Sequence, residues 1–193
     1  MGYSQAQKAE SRQRVLEAAS RQIREGGIEA LGVADCMRSA GLTHGAFYGH
    51  FASRDALIIE ALELAIKQGQ KRINFLAADA KKRAQTPLQA IAEAFLSERH
   101  VKNPGNGCAL CALAGEARHA DSSVRELLTE HLQGLASRMA DAAASDNPNV
   151  GLGMLATIVG AITLARATDD DGLARSILSA ALAQVTAQDG AVA

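Results

Sequence analysis

The sequence predicts an all-α chain, and three observations carry the prediction. Only three prolines occur in 193 residues, runs of β-branched residues are few, and alanine and leucine are abundant, a balance that favours helices over strands. Apolar residues recur at i, i+3, i+4 and i+7, the spacing of a helical stripe. Capping residues, glycines and prolines punctuate these stripes at intervals that mark out about nine helices.

The first helix runs through Val15-Leu16-Glu17-Ala18-Ala19. The second sets Val33, Cys36, Met37 and Ala40 in one apolar stripe, and Gly41 ends it, because glycine reaches the left-handed conformation without steric cost. Leu42 then plugs the corner between two helices. Thr43 is placed to N-cap the third helix through its hydroxyl. That helix turns Phe47 and Phe51 to the core and directs His44, Gly45, Tyr48 and His50 elsewhere. A short, stiff, polar-faced helix after a glycine turn reads as the second half of a helix-turn-helix, the shape that enters a DNA major groove.

Longer helices follow. Ser53 caps one that reaches about residue 80, with Leu57, Ile58, Ala61, Leu64, Ala65 and Gln68 on one face. Thr86-Pro87 opens the next, with proline at the first helical position where its missing amide costs nothing, and it runs to about residue 101. Residues 102–107 form a loop, and 108–120 read as a helix. Asp121 or Ser122 caps a helix to about residue 144, and 145–148 break it. Two final helices span 150–167 and 173–187, joined by an acidic run that suits a helix N-terminus. The first of these two is apolar or small on nearly every side. Its Leu152, Leu155, Ile158, Val159 and Ile162, with Ile177, Leu178, Ala181 and Leu182 of the last helix, predict a face that docks on a symmetry mate as a four-helix bundle.

The stretch Gly41-Leu42-Thr43-His44-Gly45-Ala46-Phe47-Tyr48-Gly49-His50-Phe51 resembles the tetracycline-repressor (TetR) family of bacterial transcription factors, together with Val15–Ala19, Gly27-Ile28-Glu29-Ala30 and Ser53-Arg54-Asp55-Ala56-Leu57. The resemblance covers about the first sixty residues closely and the rest in outline. It implies a helix-turn-helix DNA-binding domain over residues 1–52 and a helical ligand-sensing and dimerisation domain over 53–193. It also implies a homodimer on a palindromic operator, released when a small molecule shifts the spacing of the two reading heads. Thr43 and Tyr48 are then the residues that bond phosphates or reach a base edge. His44 and Gly45 sit at the helix tip, and His50 and Arg54 flank the phosphate track. Lys8, Arg12 and Arg14 form a basic arm over an adjacent groove. Gly32 and Val33 stand where many members carry serine or threonine, and a glycine N-cap leaves amides free for a phosphate. The ligand cavity is implied by the resemblance alone, with Phe75, Phe95, Arg99, Leu110, Cys111 and Leu128 in its lining.

Charge adds a modest signal. The chain has a formal net charge of −1, but residues 1–54 hold seven cations against five carboxylates, leaving the basic end where duplex DNA is expected. Aromatic residues make up 3% of the chain, too few for a platform that stacks single-stranded bases. Residues 1–14 carry no apolar run of the secretory kind, and the apolar stretch 152–165 is shorter than the roughly 20 residues a bilayer needs. A cytoplasmic protein without a membrane partner is expected.

Cys108 and Cys111, three apart after a loop, suggest two readings. They are small apolar residues in a tight helix crossing, or thiols that sense oxidants and electrophiles. Cys36 falls on a packed face. No second cysteine pair or spaced histidine pair completes a zinc site, so neither metal nor cofactor is expected. No nucleophile with its base, metal cluster or phosphate loop points to an enzyme, and a thiol-disulfide enzyme lacks its strand-helix setting. A helical adaptor that binds no DNA leaves the turn sequence and polar helix without a role.

Overall fold

The computed structural model describes residues 5–187 and 189, so the first four residues of the polar N-terminus lie outside it. Its regular elements are helical: α1 (Gln5–Gly26), α2 (Val33–Ser39), α3 (Arg54–Asp79), α4 (Pro87–Phe95), α5 (Glu98–Lys102), α6 (Ala109–Leu113), α7 (Ser122–Ala142), α8 (Pro148–Ala167) and α9 (Asp171–Thr186). Short 3-10 turns add to these at His44–Gly49, Ala80–Arg83, Pro104–Asn106 and Ala117–His119. The all-α class stands.

Several ends fall where the chain's chemistry sets them. Gly41 adopts φ +73, with its amide bonded to the Arg38 carbonyl at 3.0 Å and the Leu42 amide reaching the Met37 carbonyl at 2.9 Å. These are the two bonds of a Schellman stop. Ser53 Oγ accepts the Ala56 amide at 3.0 Å. Thr86 and Gln89 form a reciprocal capping box ahead of Pro87, and the Asp170 carboxylate accepts two amides of α9.

Three elements differ from the sequence reading. The segment after Thr43 winds as a 3-10 turn, and Thr43 occupies the cap position without a side-chain cap bond. Its hydroxyl is therefore left out of the turn. The helix expected to run from residue 87 to 101 stops at Phe95, since Ser97 caps a separate α5 by accepting the His100 amide. The helix expected over 108–120 breaks into α6 and the turn Ala117–His119.

The chain packs as two compact units, a different division from the boundary drawn after residue 52. One comprises Met1–Gln68 and Pro104–Leu127, the other Gly69–Asn103 and Leu128–Ala193, so α3 and α7 each run through both. In the first unit α1 packs on α2, on the turn Pro104–Asn106 and on α6. Val15, Ile23, Met37, Phe47, Phe51, Leu57 and Leu62 are buried there. The second unit is organised around α8 and α9, with α4 against α9 and α5 against α8. Leu155, Ile158, Ile162, Leu178 and Ala181 are buried in this core, while Leu152, Leu164 and Leu173 are exposed. Val159, Ile177 and Leu182 are half-buried. The predicted docking face thus divides, because five of its nine residues already pack within the chain. At 20 residues α8 is apolar and long enough to cross a membrane, longer than the stretch 152–165 taken from the sequence. Its buried side and Arg166, bonded to the His100 and Val101 carbonyls, pack it against protein.

Candidate nucleic-acid interface

The interface is built by holding a short polar turn rigidly against an apolar base. Phe47 and Phe51 are buried with ring centroids 5.7 Å apart, and Tyr48 meets Phe47 edge-on at 5.2 Å. That contact fixes the base of the Tyr48 ring while 78% of the residue stays exposed. Thr43, His44, Gly45 and Gly49 are exposed on the same turn. Nothing lies within 4 Å of where a Cβ would sit on Gly45 or Gly49, so the protein's surface is open at both. A free hydroxyl, an imidazole, a phenol and two bare stretches of backbone therefore project together. This set can donate to phosphates and approach base edges closely.

The basic residues are arranged otherwise. Arg12 grips Glu60 through Nη2 at 2.5–2.6 Å, donates from Nε to the His50 carbonyl at 3.2 Å and lies 4.6 Å over the Phe51 ring. Arg14 binds Glu10 at 2.9 Å, Ser11 Oγ at 3.1 Å and the Ala40 carbonyl at 3.3 Å. Arg54 donates to the Ile28 and Glu29 carbonyls at 2.9 and 3.2 Å. All three act as internal braces that fasten α2, the reading turn and the start of α3. Lys8 is exposed. His50 is half-buried, its Nδ1 lacks a hydrogen-bond partner, and burial, Lys8 and Arg12 together lower its pKa. A neutral ring is favoured.

At the start of α2, the Gly32 amide is taken by Gln22 Oε1 at 3.2 Å, and Val33 is half-buried. The Asp35 carboxylate also stands there, 3.0 Å from where a Gly32 Cβ would lie, and pairs with Arg38 at 2.9 Å. An acidic group already occupies the place where a phosphate was expected.

The six expected ligand-lining residues have different surroundings. In the first unit Leu110 and Cys111 are buried. In the second, Phe95 and Leu128 are buried, Phe95 packing edge-on to His100 at 5.2 Å, while Phe75 is 67% exposed and Arg99 lies on the surface. Two clefts of the second unit involve none of the six. One, of about 320 Å³, runs between α8 and α9 past Met154, Thr157 and Gln184, and the other, of about 420 Å³, lies between α7 and the start of α8 near Ser137, Asp141 and Leu152. Sequence spacing held no signal for either, because each depends on how two helices diverge.

All three cysteines are buried and outside any disulfide. Cys36 is fully enclosed, and burial with nearby Asp35 pushes its thiol up to about 11. Cys108 takes the N-cap position of α6, with Cys111 inside that helix. Among the described residues no group of histidine, cysteine or carboxylate side chains is arranged to hold a metal.

Residues 15–61 match the family described as bacterial regulatory proteins, tetR family. That span includes the Schellman turn, the reading turn and the start of α3. None of the curated proteins compared with the chain matches it. Solved structures resemble it over nearly its whole length. A TetR transcriptional regulator from Chloroflexus aurantiacus shares 20% identity at a TM-score of 0.77, covering 94% of this chain and 95% of its own. A TetR-family regulator from Cytophaga hutchinsonii shares 17% at 0.77, covering 98% and 99%. Escherichia coli NemR in its reduced form shares 19% at 0.75, covering 92% and 95%. At these identities the likeness is one of fold.

Proposed function

We propose that this chain, a TetR-family regulator by its residues 15–61 and its fold, is a homodimeric repressor that binds a palindromic DNA operator and leaves it when a small molecule binds. Regulators of this family act by binding DNA and are not enzymes. The observation that carries the reading is the exposed Tyr48 on a turn braced from beneath by Phe47 and Phe51, beside the unengaged Thr43 hydroxyl. Thr43, His44, Gly45 and Tyr48 make the contacts to DNA, with Lys8 and His50 at their margin. Arg12, Arg14 and Arg54 support them from within.

Dimerisation uses the outward side of α8 and α9, where Leu152, Leu164 and Leu173 are exposed beside the half-buried Val159, Ile177 and Leu182. Apolar residues at that density favour a covered surface. Two heads on one palindrome convert weak half-site binding into tight binding through effective concentration. The effector binds one state of the dimer better than the other, and that difference alone sets how far it shifts DNA occupancy. The protein works in the cytoplasm, where the DNA is.

A second reading, release by modification of a thiol, is favoured by a buried arginine that bonds to the carbonyl just before Cys108. E. coli NemR, similar in fold, has a structure described as its reduced form. The primary reading is tested by gel shift on duplex spanning the DNA upstream of the gene. Binding that survives excess unrelated duplex and weakens steadily with salt supports it. Equal loss to specific and unrelated competitor at every salt concentration defeats it.

A further inference from the structure

The densest run of positive charge lies away from the reading turn. Residues 71–83, at the end of α3 and through the turn Ala80–Arg83, hold Lys71, Arg72, Lys81, Lys82 and Arg83 against one carboxylate, Asp79. That is an excess of four positive charges, against an excess of two in residues 1–54. All of it falls in the second unit, whereas the reading turn belongs to the first. A helix C-terminus attracts cations, but its dipole is equivalent to only about half a charge. With Asp79 paired to Lys82 at 3.1 Å, the helix end and its carboxylate account for the smaller part of these cations.

Tertiary packing adds another guanidinium, and the helix face adds an aromatic ring. Arg138 of α7, in the same unit, donates to Asn74 Oδ1 at 2.6 Å, so a further cation stands beside this stretch of α3. Phe75 follows Asn74 and is 67% exposed. Lys71 and Arg72 lie one turn before it and Ala78 one turn after, the offsets that share a helix face, and all three are exposed. Lys81 and Lys82 close the far end of that face, also exposed. The opposite side of α3 is held by Ile73, which is buried, as is Ala80 of the following turn. The ring of Phe75 is therefore turned to water in the middle of a cationic rim.

We propose that this face binds peripherally to an anionic lipid surface, its cations against lipid phosphates and the Phe75 ring in the boundary between headgroups and acyl chains. Lysine ammonium groups on long stems act as point charges and need no fixed partner geometry, which suits a diffuse sheet of negative charge. The ring decides between a bilayer and nucleic acid. Duplex DNA answers the cations equally well but leaves an aromatic on a helix face in water, whereas an anionic bilayer takes both. A surface contact needs no spanning segment, so the apolar stretch 152–165 has no bearing on it.

The test mixes the whole protein with vesicles of phosphatidylcholine containing about 30% phosphatidylglycerol, sediments them, and compares the bound fraction with that on phosphatidylcholine alone. Binding is expected to the first vesicles and not to the second, and it should weaken as salt shortens the reach of charge. Lys71→Gln with Lys81→Gln should lower the partition constant about thirtyfold. Phe75→Ser should lower it about tenfold or more, while Phe75→Leu keeps most of it. These side chains are exposed, so the variants should melt like the parent protein. Should one fail to fold, the comparison of the two vesicle compositions with the parent decides alone. No binding to either composition, equal binding to both, or parent-like partition of the double variant overturns the proposal. If the double variant weakens binding to unrelated duplex while Phe75→Ser leaves vesicle partition unchanged, the face belongs to nucleic acid and the proposal fails. Self-association without vesicles that Phe75→Ser removes assigns the face to a second copy of the chain and overturns it likewise. None of these measurements uses operator DNA, so the function proposed above stands or falls separately.

Discussion

Replacing Tyr48 tests the reading turn most directly, because the structure separates what the side chain does for the fold from what it offers outward. With 78% of the residue exposed and an edge contact to Phe47 at 5.2 Å, Tyr48→Ala should cost the folded protein no more than about 1 kcal/mol. A contact to a base edge or phosphate is worth about 1–3 kcal/mol. A dimer loses it twice, so the operator complex should weaken by roughly 2–6 kcal/mol, or about 30-fold to above 10⁴-fold. Fluorescence anisotropy with a labelled operator duplex measures this, and melting and sedimentation on the same samples report fold and assembly. Tyr48→Phe keeps the ring and its contact with Phe47, so the difference between the two variants isolates the hydroxyl. An alanine variant that melts and assembles like the parent and binds operator within about twofold of it refutes the assignment. Loss of the dimer refutes it also, since Tyr48 lies in the other unit from α8 and α9.

Other positions give independent checks. Leu164 is 59% exposed on α8, so Leu164→Glu should convert dimer to monomer in sedimentation while changing the far-ultraviolet spectrum little; an unaltered dimer removes α8 from the interface. A Cβ on Gly151 would strike the Ala136 carbonyl and come within 3.0 Å of the Ala140 amide nitrogen. Gly151→Ala should therefore cost about 1–3 kcal/mol of overpacking, against a helix-propensity gain of about 1 kcal/mol, and lower Tm by several degrees. Gly153→Ala, with nothing within 4 Å, should hold or raise Tm, and equal melting of the two variants denies the close approach of α7 and α8. Burial, Lys8 and Arg12 lower the His50 pKa, so its contribution is complete above the unfolded value near 6.5 and declines as pH falls through that value. His50→Gln should flatten that part of the stability profile, and an unchanged slope assigns it to another group.

The helices most legible in the sequence were those ended by local chemistry. Gly41, Ser53, Thr86-Pro87 and Asp170 each act through bonds to residues within five positions, and each makes such a bond. The 3-10 winding of His44–Gly49 was not legible, because its apolar and polar positions suit either helix and the choice depends on how Phe47 and Phe51 seat beneath it. Ser97 shows the opposite limit. It is a capable cap, yet an apolar pattern running across it concealed that it would act as one. The docking face of α8 and α9 divided for a related reason: a helix apolar on most sides does not disclose which side its own chain will cover.

Charge is where sequence and structure part most instructively. Composition identifies a basic end, but among the seven cations of residues 1–54 Arg12, Arg14, Arg21, Arg24, Arg38 and Arg54 each hold a bond within the chain. A guanidinium has five donors in a fixed fork and reaches several acceptors at once. It is therefore as useful for tying a short turn to three helices as for neutralising phosphate. Arg14 bonds the Ala40 carbonyl in the four-residue link between α2 and the reading turn, Arg12 the His50 carbonyl at the end of that turn, and Arg54 the Ile28 and Glu29 carbonyls ahead of α2. What the turn leaves exposed is short and close to the backbone: a hydroxyl, an imidazole, a phenol and two glycines. Such a surface gains from preorganisation more than from net charge. Loosening a brace should thus weaken operator binding even where the braced residue never touches DNA.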